Sequence, residues 1–169
     1  MILVDDFLNF LLQPCQHTFR GRDKKGVWHK GDLITNALNS ETNLFLMNRN
    51  DVCIKAKIRA SNGKEFEVDY NSVGEFVGAY AFLDKKSDKE VELFTGDVVE
   101  SKYILTTKYP RRFLVAWDNH SKEFIFYCLN PENELIDKAP IYASNGGDNF
   151  LLGNVYDNPE LLEEGAHYD

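Results

Sequence analysis

Cysteine, proline and methionine are all scarce in this chain of 169 residues, which has three, five and two of them. The cysteines, Cys15, Cys53 and Cys128, are odd in number and far apart, and no Cys-x-x-Cys occurs. That pattern excludes a disulfide framework and points to a reducing compartment, the cytoplasm. No apolar run approaches the roughly 18 residues of a membrane-spanning helix. Residues 2–12 carry Asp5 and Asp6 and no basic start, so they do not read as a secretion signal. Also missing are a Gly-rich phosphate loop, a Gly-x-Ser-x-Gly elbow and a His-Glu-x-x-His zinc motif. Carboxylates are plentiful, but no pair stands out by apolar surroundings. These absences lead us to expect a protein that is not an enzyme.

What is present is enough to fold. Hydrophobic residues make up 43% and aromatics 13%, which argues against global disorder. The length fits one domain, or two small ones sharing a core. Charge is placed unevenly. Residues 129–169 hold nine acids against the single base Lys138, which accounts for the whole net charge of −8. The body before them is therefore neutral. The acidic end is either a solubilising surface or a surface for a basic partner.

The pattern along the chain is that of strands. Lys55, Lys57 and Arg59 alternate with Ala56, Ile58 and Ala60. After Ser61-Asn62-Gly63, Phe66 and Val68 alternate with Glu65, Glu67 and Asp69. Period-two alternation predicts a hairpin with one buried and one wet face, and with bases opposite acids on the wet one. Residues 112–117 and 123–128 predict a second hairpin across Asp118-Asn119-His120-Ser121. Phe94-Thr95-Gly96-Asp97 reads as a turn into Val98-Val99, and His29-Lys30-Gly31-Asp32 as the same phrase breaking the strand at 27–36. Its use at both places predicts two related β units. Residues 71–78 read as a helical turn or loop and residues 129–139 as polar connection. A last strand is expected around Gly153.

Leu3, Phe7, Phe10 and Leu11 share a face at helical spacing, and Pro14 ends that helix. Asn158-Pro159 is a helix-start pair near the other end. The fold expected is thus mainly β, a β-rich α+β protein of two similar small barrel-like or sheet units with short terminal helices. Its parts are an N-terminal helical extension (1–16), a first β unit (17–78), a second (79–152), and a C-terminal strand, helix turn and acidic tail (153–169).

Four segments, FRGRDKKGVWHKGDLI (19–34), EVDYNSVGEFVG (67–78), DKEVELFTGDVV (88–99) and GNVYDNPELL (153–162), resemble, in this order, the YopX family of phage and prophage proteins. The resemblance implies a β-rich cytoplasmic protein carried on mobile genetic elements. It brings no catalytic residues. Residues 1–15 precede the usual start, and 79–86 are longer than the family's connection.

Three kinds of site are weighed. Cys15-x-His17 places a thiol and an imidazole on one side of an extended segment, a donor pair that suits zinc, with Cys53, Cys128 or His29 as further ligands. Arg20, Arg22, Lys24, Lys25 and Lys30 near Trp28, and Lys108, Tyr109, Arg111 and Arg112, are basic clusters with aromatics of the kind that holds single-stranded nucleic acid. Asp157, Glu160, Glu163 and Glu164 are the acids of a partner-binding end. Taken with the phage resemblance, they predict a protein that blocks a host nucleic-acid-handling or defence factor of the CRISPR type by protein–protein contact. A direct nucleic-acid-binding regulator is the alternative, and a zinc-containing protein the third reading.

Overall fold

The computed structural model describes residues 17–35, 55–86, 88–101, 111–129, 135–141 and 149–162. They form eleven strands and two short 3-10 turns. In chain order the strands are β1 (Phe19–Arg22), β2 (Trp28–Thr35), β3 (Ala56–Arg59), β4 (Glu65–Val68), β5 (Gly74–Phe82), β6 (Glu90–Phe94), β7 (Asp97–Ser101), β8 (Arg111–Asp118), β9 (Glu123–Leu129), β10 (Leu135–Pro140) and β11 (Phe150–Asn154). The 3-10 turns are Tyr70–Ser72 and Pro159–Leu162.

The expected strand-rich class is found, but the expected division into two barrel-like units is not. The strands make one continuous sheet in the order β10-β9-β8-β7-β11-β5-β1-β2-β3-β4, with β6 paired to β5. Two joints hold the halves together. Phe19 and Arg20 of β1 lie opposite Glu75 and Gly74 of β5. β11 enters between β7 and β5, antiparallel to the first and parallel to the second, where Phe150 faces Phe82. Residues 78 and 79, where the sequence suggested a boundary, both lie inside β5.

The second correction concerns the repeated phrase. Gly96, at φ +89°, does make the turn from β6 to β7. Gly31 instead sits within an unbroken β2. A Cβ there would lie 2.0 Å from the Arg59 carbonyl oxygen, so glycine serves close approach to β3 rather than a turn. Two further strands were read as connections. Residues 74–78 open β5, and Leu135–Pro140 form β10 against β9.

Both expected hairpins are present. In β3–β4, Lys57 faces Glu67 and Arg59 faces Glu65, while Ala56, Ile58 and Val68 are buried. In β8–β9, Phe113 faces Cys128 and Val115 faces Phe126, all fully buried. Two hydrophobic clusters result. One gathers Val77, Leu93, Val99, Phe113, Val115, Phe126 and others from β5 to β10, and a smaller one gathers Ala56, Ile58 and Val68 with Phe19 and Leu33. A fully buried side chain of the Phe113 or Phe126 type contributes about 1.5–3 kcal/mol by leaving water. The helix expected in residues 1–16 lies outside the described residues. The C-terminal helix turn is found as the 3-10 turn after Asn158.

Candidate functional site

The site grows from the alternation of β1. Gly21 faces inward, where a Cβ would meet Val68 at 2.8 Å. Arg20 and Arg22 therefore share the opposite face. The register sets Lys30 beside Arg20 and Trp28 beside Arg22. The Arg20 guanidinium lies 4.9 Å from the Trp28 ring centre and 4.7 Å from that of Phe94. A cation between two aromatic faces is held by their quadrupoles. Its Nη2 donates to Asp97 Oδ1, and the Phe94 backbone N–H donates to Asp97 Oδ2 at 2.8 Å. Asp97 is 1% exposed. Burial pushes its carboxyl above the ordinary range, while the Arg20 charge and bond and the Phe94 amide pull the other way. Arg20 Nε is buried without a hydrogen bond.

A second centre lies around Arg22. The segment leaving β11, residues 154–162, crosses to the β1–β2 hairpin as a strap. Asn154 Oδ1 accepts the Tyr156 and Asp157 amides at 3.0 and 2.9 Å, turning the chain. Gly153 permits this turn, because a Cβ there would lie 2.4 Å from Asn158 Oδ1. Asp157 then receives Arg22 Nη1 at 2.9 Å, Trp28 Nε1 at 2.9 Å and Asn154 Nδ2 at 3.1 Å. Partial burial works to raise the Asp157 carboxyl, but Asn154, Trp28 and Arg22 together bring it below its ordinary value. Tyr156 sets its ring edge-on to Trp28, centres 6.1 Å apart, and donates its hydroxyl to Asp69 Oδ2 at 2.8 Å. That bond raises the phenol. Asp69 caps the 3-10 turn by accepting the Asn71 amide, and its own amide donates to the Arg22 carbonyl at 2.9 Å.

The structure redistributes the residues singled out in the sequence. Arg20, Arg22, Trp28 and Asp157 come together in this network. Lys24 pairs with Glu67 at 3.4 Å, and Lys30 with Glu92 at 2.5 Å. Lys25 contributes its backbone amide to Asp23. Glu160 is exposed and accepts from Asn158 at 3.1 Å. Arg111 donates to Cys128 Sγ at 3.9 Å, and Arg112 faces Glu100 across β7–β8. Of the thiol and imidazole set, His17 bonds Glu75, and His29 bonds Asp23 at 2.9 Å and stacks on Phe66. Cys128 is fully buried. Among the described residues no group of three or more His, Cys, Asp or Glu stands close enough to hold a metal. Cys15, Cys53, Lys108, Tyr109, Glu163 and Glu164 lie outside the described residues. No described helix is long and apolar enough to cross a membrane.

Asp97, Asp69 and Tyr156 were missed as site residues. Asp97 had a visible signal, since an acid straight after a turn glycine often bonds the turn's own amides. The two others carried none, because the bond that joins Tyr156 to Asp69 spans 87 residues.

The network draws on all four of the segments that carry the sequence resemblance: Arg20, Arg22 and Trp28 from the first, Asp69 and Ser72 from the second, Phe94 and Asp97 from the third, Tyr156 and Asp157 from the fourth. What looked like four separate phrases is one junction in space. No curated protein and no solved structure matches the chain. A family model described as YopX protein matches residues 22–163, and on that match the chain belongs to the YopX family.

Proposed function

We propose that this phage-type protein is a non-enzymatic binder that acts by contact with another protein, and that its target is a host nucleic-acid-handling or defence factor of the CRISPR kind. The observation that carries this reading is the fastening of the acidic strap. Arg22, Trp28 and Asn154 fix Asp157 on the sheet, and Glu160 stands exposed in the turn that follows. Glu163 and Glu164 come next in the sequence. Exposed acids fit the basic channels of proteins that handle nucleic acid, and their field speeds encounter. Capture from a bacterial lysate tests it, comparing the native chain with a Glu160→Gln/Glu163→Gln/Glu164→Gln variant. We expect a nuclease effector or other defence protein to be enriched by the native chain and lost with the variant. Enrichment of none, or equal enrichment by both, sinks the reading.

Direct nucleic-acid binding has weaker support. Arg20, Arg22, Lys24 and Lys30 each face a carboxylate of the same chain, so little of that cluster's charge is left for phosphates. A gel shift at two salt concentrations would reveal phosphate contacts by steep salt dependence.

A further inference from the structure

The strap closes over the β1–β2 hairpin with very little apolar burial. None of residues 154–162 is buried. Its hold on the hairpin consists of side-chain bonds near the surface: Asp157 to Arg22, whose side chains are 27% and 36% exposed, Asp157 to Trp28, and the Tyr156 edge against the Trp28 ring. Tyr156 adds its bond to Asp69. Such bonds exchange readily with water and salt. Beyond the β11 ladder that ends at Asn154, the strap's backbone-to-backbone bonds are few, from Val155 to the Gly96 carbonyl, from Asn158 to Asn154 and from Leu161 to Asn158. A segment with few buried contacts and exposed backbone bonds opens below the cost of global unfolding.

We infer that the strap is a latch: Asp157 holds it shut, it opens as one unit, and opening frees Asp157 while baring Arg22 and Trp28. This rests on the acidic-binder reading for its trigger. A basic partner competes with Arg22 for Asp157, so engagement of the strap and its release are the same event. The partial burial of Asp157 and its lowered carboxyl agree with a charge held by exchangeable donors.

Hydrogen exchange on the full chain, followed by NMR, tests the latch. In Asp157→Asn, exchange of the Trp28 indole N–H and of the Val155 and Leu161 amides rises together by tenfold or more, with the β8–β9 amides unchanged. Tyr156→Phe, which removes only the Asp69 bond, gives a smaller rise at the same positions. The latch is overturned if Asp157→Asn alters the Trp28 indole alone and leaves Val155 and Leu161 protected. It is equally overturned if strap and β8–β9 amides lose protection together in both variants, since the strap would then open only with the whole fold. Oligo-lysine is the probe for the trigger. On the native chain it speeds Trp28 indole exchange, and on Asp157→Asn it does not. Binding of oligo-lysine with no change at Trp28 overturns the latch. No binding at all defeats the acidic-surface reading and, with it, the trigger, while strap opening is judged on the variants.

Discussion

Two carboxylates show how environment sets what an acid does. Asp97 is buried against Arg20, and its charge is tolerable only with that partner. Removing one member of a buried pair leaves the other uncompensated, at about 3–5 kcal/mol. Arg20→Met should therefore lower stability by about 3–5 kcal/mol in urea unfolding, and Arg20→Met/Asp97→Asn should recover part of the loss. Asp23 is different. It is the knot of the β1–β2 turn, accepting His29 as well as the Val27 and Lys25 amides. The His29 bond first, then the amides, hold its carboxyl at about 2 instead of 3.8. A depressed carboxyl gives stability that is complete above its unfolded pKa and is lost as pH falls through its folded one. The Tm of the native chain should thus decline between pH of about 4 and 2 in part through Asp23, and His29→Gln should flatten that portion of the profile. An unchanged profile in the variant would show that the turn amides alone set the carboxyl.

At the level of strands, legibility followed the range of the cause. The β3–β4 and β8–β9 hairpins were readable because alternation and turn residues act locally. Gly31-Asp32 misled because it looks like Gly96-Asp97, yet only Gly96 makes a turn. The reason for Gly31 is the Arg59 carbonyl on another strand, and nothing beside Gly31 in the chain reports it. β10 was hidden by its charge, since Leu135–Pro140 hold Asp137 and Lys138, and it becomes a strand by pairing with β9. The site was legible only in part, and the way its residues meet was not. Arg22 and Trp28 drew notice as a basic and aromatic cluster, and Asp157 as part of an acidic end. Their bond spans 129 residues between Trp28 and Asp157. The two kinds of glycine also predict different variants. Gly31→Ala should cost about 3 kcal/mol or more, as its Cβ meets backbone that cannot yield. Gly63→Ala meets nothing within 4 Å and should cost only the left-handed strain of about 1–2 kcal/mol at φ +80°. Thermal unfolding of the two variants compares them directly.

For the molecule as a whole, the continuous sheet sets how the two clusters share stability. Trp28 lies on β2 in one half and Trp117 on β8 in the other. Joined through β1–β5, β11 and the Arg20–Asp97 pair, both halves should unfold as one. The two indole NMR signals should disappear at the same urea concentration in the native chain. In Arg20→Met the Trp28 signal should go first. Separate transitions in the native chain would mean that the halves are independent despite their shared sheet. The position of β11 has a further consequence. Phe150–Asn154 come after every other described strand in the chain, yet those residues fill the gap between β7 and β5. Until they dock, the β7–β10 strands and the β1–β6 strands have no shared ladder through β11. Docking of β11 thus closes the middle of the sheet, and a chain in which it had come loose would display two raw strand edges, on β7 and β5.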